Sequence, residues 1–159
     1  MSDEIVFRDY RAADIEAMFQ LDEACFVEPF RFDRRSMRRF ADKQNAVVRV
    51  AEKVGGEIVG LVIVHKKRDV TGWRAYVVTL DVAAEYRQKG MGRRLMEEAE
   101  TSAVAAGVQW MQLHVFTGNA GAIRFYERLG YERISRQKDF YGKAGLDAFV
   151  YGKELLPRL

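Results

Sequence analysis

Two periods of hydrophobic residues alternate along the chain, one typical of helices and the other typical of strands. Over residues 15–25 the apolar positions recur every three or four residues, which predicts an amphipathic helix capped by Asp14. Asp33 is placed to cap a second, shorter helix that ends at Phe40. Short runs rich in β-branched residues predict strands at 5–8, 46–51, 58–65 and 73–82.

The second half of the chain alternates helices with strands. A basic loop that contains glycines, 87–92, precedes the first of two predicted helices, 93–106 and 120–129, and each helix ends at a glycine. Further strands are predicted at 110–115, 131–136 and 148–153, the last two as an antiparallel pair. The element order β-α-α-β-β-β-α-β-α-β-β predicts an α/β architecture, a mixed sheet with helices on both faces, in a single domain over residues 1–159.

Composition and charge exclude several classes of protein. One cysteine and two histidines cannot form an internal disulfide or a Cys/His zinc cluster, so no metal is expected. The longest apolar run, 58–64, is too short to span a membrane, and the first residues lack the apolar core of a signal peptide. We therefore expect no membrane contact and a cytoplasmic location. The net charge of +3 comes without a one-sided basic face, so we expect no nucleic-acid partner.

The segment from Thr79 to Gly92 carries the strongest chemical signal. Here a strand runs into a loop in which Arg87 and Lys89 accompany glycines, and the loop opens a helix. Glycine lets a ligand approach the backbone closely, and the free N–H groups and positive dipole of a helix start attract anions. The pattern predicts a pyrophosphate site, although it matches neither a P-loop nor a dinucleotide fingerprint. A plain strand-to-helix turn with solvated basic side chains is the alternative.

Two motifs resemble those of the GNAT superfamily of N-acetyltransferases. Residues 87–92 resemble its R/Q-x-x-G-x-G/A acyl-CoA loop, and residues 119–131 resemble its N-x-x-A-x-x-x-Y-x-x-x-G-F segment. The resemblance implies a central mixed, mostly antiparallel sheet of about seven strands flanked by about four helices. It also implies transfer of an acetyl group from acetyl-CoA to a primary amine by direct attack, with CoA as product.

Within that superfamily the chain is similar to protein N-terminal acetyltransferases of the RimI type and to the catalytic subunits of the NatA and NatE kinds. Residues 113–119 resemble the L-H-V-x-x-x-N of the Nat subunits, and residues 76–80 resemble the Y-I-M-T-L strand of the NatE subunit. Residues 26–30 and 139–141 resemble peptide-site loops, with a displaced proline in the first and Phe140 in place of a tyrosine in the second. The resemblance implies that the acceptor is the N-terminal α-amine of a protein or peptide.

The resemblance also implies roles for individual residues. His114 is the candidate general base, because an imidazole titrates near neutral pH. Tyr76, which alternates with Val78 and Leu80 along its strand, would hold a water that relays the proton to His114. Tyr126 is the candidate acid at the sulfur, because a phenol stays protonated at neutral pH. The residues expected to bind the cofactor are Leu80, Asp81, Val82, Arg87, Gln88, Lys89, Gly90, Met91, Gly92, Arg93, Asn119 and Tyr126. The residues expected to bind the acceptor are Phe26, Val27, Pro29, Val78, Phe140 and Tyr141.

Alternatives remain open for the function and for single residues. The acceptor is otherwise a small amine, such as a polyamine, an amino acid or an antibiotic, or a lysine side chain, and Glu28, Asp33 and Asp139 are acids that a small cation could use. A third reading is a non-catalytic acyl-CoA-binding module. The two histidines and two tyrosines could also be core residues. Cys25 is expected to be a buried, inert thiol. We expect a monomer or a homodimer.

Overall fold

A single sheet of seven strands organises residues 4–155, the part of the chain that the computed structural model describes. In chain order the strands are β1 (Ile5–Asp9), β2 (Ala46–Lys53), β3 (Ile58–Asp69), β4 (Gly72–Val82), β5 (Val108–Phe116), β6 (Glu132–Gln137) and β7 (Ala148–Glu154). The helices are α1 (Ile15–Cys25), α2 (Arg34–Asp42), α3 (Met91–Ala105) and α4 (Ala120–Arg128). This is the predicted element order.

The sheet is mostly antiparallel, in the order β1-β2-β3-β4-β5-β7-β6, and among the described strands only β4 and β5 run parallel. Pairing between these two strands ends at Tyr76 and Gln112, although both strands continue. The C-terminal halves of β4 and β5 therefore part from each other. A gap in the middle of the sheet results, and its edges carry backbone groups that are not used by the neighbouring strand.

Helices cover both faces of the sheet, as predicted. On one face, Leu95, Ala99 and Ala103 of α3 recur every four residues and are fully buried against the sheet. On the other face, α1 and α2 contribute the fully buried Met18 and Met37. Complete burial of a side chain as large as Leu or Met stabilises a fold by about 1.5–3 kcal/mol, so these two layers hold the sheet between them. No helix within residues 4–155 is long and apolar enough to cross a membrane.

The alternation predicted for β4 fails in the middle of the strand. Tyr76, Val78 and Leu80 were expected on one face, but Val78 packs against the α1/α2 cluster whereas Leu80 packs against the α3 cluster. The cause is a register shift opposite Ile63 and Val64, which leaves Val78 without a partner in β3. One extra residue in a strand reverses the faces of everything that follows it.

The helix ends confirm one predicted cap and correct another cap and one helix start. The Asp33 carboxylate accepts a hydrogen bond from the Ser36 backbone N–H at 2.7 Å and caps α2 as predicted. Asp14 precedes α1, but its carboxylate does not cap that helix; it binds Arg8 at 2.8 Å instead. α3 begins at Met91, two residues before its predicted start, so Gly92 lies in its first turn.

Candidate active site

A cleft of about 740 Å³ opens where β4 and β5 part. Most of its walls come from five segments: the loop 26–32 after α1, the ends of β4 and β5, α4 with the residues before it, and the loop between β6 and β7. Cys25 of α1, Phe40 of α2 and His65 of β3 complete the lining. Backbone N–H and C=O groups on the parted strand edges can pair with an extended ligand, as an added strand would. The gap in the sheet is thus an opening that could take a long substrate.

Tyr76, His114 and Gln137 form a continuous chain of hydrogen bonds across the cleft. The Tyr76 hydroxyl oxygen lies 2.8 Å from Nδ1 of His114, and Nε2 of the same ring lies 2.9 Å from Oε1 of Gln137. The Tyr76–His114 contact is direct, whereas the sequence suggested that a water would separate them. Neither ring nitrogen binds the backbone, so His114 is not the backbone-bonded core histidine that was the alternative. Burial raises the pKa of Tyr76 to about 12, which keeps its hydroxyl protonated at neutral pH.

The loop between β6 and β7 covers the histidine. The ring of Phe140 stacks on His114 with 3.9 Å between centroids and 8° between planes. Asp147 holds this loop in place, because its carboxylate accepts hydrogen bonds from the Asp139 backbone N–H at 3.0 Å and from Arg136 at 2.7 Å. These two contacts also lower the pKa of Asp147, so its carboxylate is charged at neutral pH.

Aromatic rings form the acceptor side of the cleft. All six residues predicted there, Phe26, Val27, Pro29, Val78, Phe140 and Tyr141, line it. Phe30 and Phe116 were missed; their rings lie 5.0 Å apart, and Phe30 lies 4.7 Å from the ring of Tyr141. Phe30 belongs to a loop that the sequence marked as aromatic, whereas nothing in the sequence brings Phe116 close to it.

Charged side chains are absent from the cleft wall among the described residues. Three acids were considered as partners for a small cation, and each has another role. Glu28 pairs with Arg31, Asp33 caps α2, and Asp139 accepts the Gly145 backbone N–H at 2.8 Å. A substrate with several positive charges therefore finds no carboxylate in the wall of this cleft.

Ten of the twelve predicted cofactor residues, all but Asp81 and Val82, fall into two groups. Leu80, Asn119 and Tyr126 line the cleft itself. Asn119 also caps α4, because its side-chain oxygen accepts the Ala122 backbone N–H at 3.1 Å. Burial and the nearby Asp81 raise the pKa of Tyr126 above that of an ordinary tyrosine, so this hydroxyl is a proton donor at neutral pH.

The second group is the loop 87–93, which turns from β4 into the start of α3. Gly90 has φ +89° and nothing lies within 4 Å of the place where a Cβ would stand, so the turn is open to a ligand. The first hydrogen bond within α3 joins Arg94 to Gly90, which leaves the N–H groups of residues 91–93 for an anion. The Arg87 side chain donates to the Val82 carbonyl at 3.0 Å and so braces the loop.

Two residues that the sequence analysis set aside have structural contacts. Cys25 donates through Sγ to the Val82 carbonyl at 3.4 Å, and burial raises its thiol pKa, so the thiolate is disfavoured. His65 lies 2.8 Å through Nε2 from the Phe40 carbonyl, and burial lowers its pKa. Neither contact gives these side chains a part in the chemistry at the cleft.

A pair of carboxyl groups, Asp22 of α1 and Asp81 of β4, lies fully buried behind the cleft and was not foreseen as a pair. The two carboxyl groups face each other, while Asp22 Oδ2 also accepts the Phe32 N–H at 2.8 Å and Asp81 Oδ1 accepts the Thr79 hydroxyl. Asp22 Oδ1 and Asp81 Oδ2 have no other donor among the described residues. A proton held between the two carboxyl groups supplies the missing donor.

The surroundings of this pair favour the bound proton. Burial, together with the facing carboxyl group of Asp22, raises the pKa of Asp81 well above its ordinary range, and burial also raises the pKa of Asp22. The Asp81 side chain is turned towards α1; the contact with the cofactor that the resemblance implies for residues 80–82 is through their backbone. The role of the Asp81 side chain is to fasten the end of β4 to α1.

Comparison with known proteins adds a family and a fold. The model of the "Acetyltransferase (GNAT) family" matches residues 15–131. Arabidopsis thaliana NAA60 in complex with acetyl-CoA has a TM-score of 0.83 at 22% identity, over 96% of this chain and 99% of that chain. The ribosomal-protein-S18-alanine N-acetyltransferase from Escherichia coli gives 0.81 at 17% identity, over 98% and 97%. Arabidopsis thaliana Naa50 in complex with the bisubstrate analogue CoA-Ac-MVNAL gives 0.78 at 23% identity, over 94% and 97%.

We expect Asp81→Asn to make stability less dependent on pH. Raised carboxyl pKa values mean that the shared proton stabilises the fold fully below about pH 4 and that this stabilisation is lost as pH rises through the raised values. The Asn amide donates the same hydrogen bond to Asp22 without titrating. The melting temperature of the variant should therefore increase relative to that of the original chain as pH rises. The increase should be roughly 2–4 °C for each 1 kcal/mol of unfolding free energy that the original chain loses.

Asp14→Asn is the control with the opposite sign. Its hydrogen bonds to Arg8 lower the pKa of Asp14, so this carboxylate stabilises the fold above its ordinary pKa and the stabilisation is lost in acid. The Asp14 variant should be less stable near neutral pH and should approach the original chain as pH falls. An Asp81→Asn difference that stays constant from acid to alkaline pH would contradict the shared proton.

Proposed function

Because the chain belongs to the acetyltransferase (GNAT) family and uses acetyl-CoA as its acyl donor, we propose that it acetylates the N-terminal α-amine of a peptide or protein. The family and the fold that two sequence motifs predicted are confirmed. The observation that carries the proposal is the cleft itself: Tyr76 and His114 meet at its centre, and its acceptor wall is aromatic and without charged side chains.

The cofactor occupies the side of the cleft near α3 and α4. Acetyl-CoA supplies an acetyl thioester, which an amine attacks directly. The N–H groups of residues 91–93 hold its pyrophosphate, and the parted edge of β4 near Leu80 pairs with its pantetheine arm. The open turn at Gly90 and the free first turn of α3 are the features of this chain that fit such a group.

His114 and Tyr76 remove the proton of the acceptor amine. The Tyr76 hydroxyl donates its hydrogen to Nδ1 of His114 and keeps its oxygen lone pairs for the amine. As the N–C bond forms, the amine proton passes to the Tyr76 oxygen and the Tyr76 proton passes to Nδ1. Because the pKa of Tyr76 is raised to about 12 by burial, this residue relays a proton and does not act as a preformed tyrosinate.

Tyr126 completes the reaction at the other end of the breaking bond. Its hydroxyl donates a proton to the sulfur as the C–S bond breaks, so the leaving group departs as a neutral thiol. The raised pKa of Tyr126, caused by burial and by Asp81, keeps its hydroxyl protonated at neutral pH before the reaction. After the products leave, His114 gives its extra proton to water and Tyr126 takes one back. The base and the acid thus come from β5 and α4.

The ease of deprotonation favours an α-amine over a lysine side chain. At pH 7 about a tenth of an N-terminal amine is neutral, against roughly 1 in 2,500 lysine side chains. One histidine and one relay tyrosine are enough to deprotonate an N-terminal amine. A lysine side chain requires a site that strongly lowers the pKa of its amine. The lining of this cleft has no cationic side chain that would do so by repulsion. Two proteins of similar structure support the same acceptor. One is named as a ribosomal-protein-S18-alanine N-acetyltransferase, and the other was solved with the bisubstrate analogue CoA-Ac-MVNAL.

We expect peptides with a free N-terminus and an apolar first side chain to be the best acceptors. Each methylene group buried against the aromatic wall contributes about 0.8 kcal/mol, so a Met or Leu start should exceed a Gly start by roughly 10-fold or more in kcat/KM. The measurement is release of free CoA from acetyl-CoA with short peptides that differ only in their first two residues. Blocked peptides, polyamines and free amino acids are the controls. Turnover confined to small amines would contradict the proposal.

Replacement of His114 tests the proton path. His114→Asn should lower kcat by about 10²–10⁴-fold, the usual contribution of a general base, and Tyr76→Phe should also lower kcat because it removes the relay. Binding of acetyl-CoA, measured by calorimetry, should be unchanged in both variants, since neither residue contacts the α3 turn. His65→Asn is the matched control, because His65 also lines the cleft but its ring bonds to the Phe40 carbonyl and not to a tyrosine. A His114→Asn variant with the original kcat would contradict this path.

A further inference from the structure

Both ring nitrogens of His114 are engaged by side chains, and one of the partners, Gln137, has no part in the proposed reaction. We propose that Gln137 is a positioning residue that keeps the proton of the neutral imidazole on Nε2 and so leaves Nδ1 free to take the proton from Tyr76. The inference rests on the proposed role of His114 as proton acceptor. It assigns a function to a residue that no motif in the sequence marked.

The argument starts from the chemistry of the two nitrogens. A neutral imidazole has one N–H donor and one acceptor nitrogen, and the hydrogen bond at one nitrogen decides the state of the other. The Gln137 amide turns its oxygen, Oε1, towards Nε2 at 2.9 Å; in this orientation it accepts, and Nε2 carries the hydrogen. Nδ1 is then an acceptor, and the Tyr76 hydroxyl 2.8 Å away must donate to it. Without Gln137 the ring is free to place its hydrogen on Nδ1, where it blocks the proton path.

The sheet is built so that Gln137 can reach the histidine. Gln137 ends β6, which is separated from β5 by β7, and it pairs with Ala148 of β7. Ala148 also pairs with Phe116, two residues beyond His114 on β5. Directly paired residues share one face of a sheet, so Gln137, Ala148 and His114 all lie on the same face. The small Ala148 side chain leaves room for the glutamine to cross over β7.

The loop between β6 and β7 fixes the orientation of both Gln137 and the His114 ring. The Asp147 carboxylate binds Arg136, which precedes Gln137, and the backbone N–H of Asp139, which follows it by two residues. Phe140 lies flat against the histidine ring, so the plane of the imidazole is fixed as well. The end of β6 is therefore held on both sides of Gln137, and its amide keeps a constant position relative to Nε2.

The neutrality of the glutamine side chain is part of its role. The charged Asp147 carboxylate in the β6–β7 loop is paired with Arg136. The phenols that line the cleft with His114 are those of Tyr76 on β4, Tyr126 on α4 and Tyr141 in the β6–β7 loop, and all three have pKa values raised by burial. None of them brings a negative charge at neutral pH. A carboxylate in place of the Gln137 amide would favour the imidazolium form, which cannot accept a proton.

Two variants separate the hydrogen-bond acceptor from the shape of the side chain. Gln137→Met has a similar length and no acceptor, and we expect a fall in kcat of roughly 10–100-fold, the range found for partners that orient a functional histidine, with KM for both substrates unchanged. Gln137→Glu keeps the acceptor, so its kcat at alkaline pH should be close to the original. Its acidic limb should move to higher pH by about one unit, because the carboxylate favours the imidazolium form. Gln109→Met is the matched control, an exposed glutamine on the same strand as His114.

The protonated nitrogen can also be observed without any turnover. Long-range ¹H–¹⁵N spectra of the histidine ring should show hydrogen on Nε2 in the original chain and a mixture of the two forms in Gln137→Met. Hydrogen on Nδ1 in the original chain, or the same kcat and pH profile in all three chains, would overturn the proposal. If His114→Asn is inactive while Gln137→Met is fully active, only the role of Gln137 is wrong. A fully active His114→Asn would instead remove the proposed proton path.

Discussion

β4 and β5 share hydrogen bonds as far as Tyr76 and Gln112, and the chemistry of this protein depends on what happens beyond that point. Two parallel strands that part leave backbone groups without partners, and buried groups of that kind are costly unless a ligand takes them up. The gap therefore interrupts the sheet and leaves backbone groups there that a ligand can pair with. Its position also explains why the reacting side chains come together, since Tyr76 stands at the last pair and His114 two residues further along β5.

A sheet with a gap between two strands needs contacts with other elements to keep its shape. Around the cleft, buried polar contacts have this role. On the cofactor side, the proton shared by Asp22 and Asp81 fastens the end of β4 to α1. On the acceptor side, Asp147 fastens the β6–β7 loop so that Phe140 covers His114. The first contact joins elements far apart in the chain, and the second closes the β6–β7 loop on itself. Both hold cleft walls in place for a reaction that needs close alignment of three groups.

Local sequence signals predicted most of the fold, and the family resemblance named about half of the residues that line the cleft. Glycines after α3 and α4, the cap at Asp33 and the change of hydrophobic period act within a few residues, so a sequence pattern can reveal them. The Tyr76–His114 and His114–Gln137 contacts bridge 38 and 23 residues and depend on strand pairing, which no local pattern contains. The register shift at Val78 and the turning of Asp81 towards Asp22 have the same cause. The Asp14 side chain was misjudged because Arg8 of β1 and the Arg11 backbone N–H both donate to its carboxylate.

The structure of the protein bound to a conjugate of CoA with an acetylated peptide would test the central claim most directly. The account predicts that the conjugate lies in the gap between β4 and β5, with its pyrophosphate at the start of α3 and its peptide against Phe30 and Tyr141. The former amine nitrogen should lie within about 3 Å of the Tyr76 hydroxyl oxygen, the reach of a hydrogen bond. A peptide that follows another surface, with its nitrogen far from Tyr76 and His114, would contradict the account.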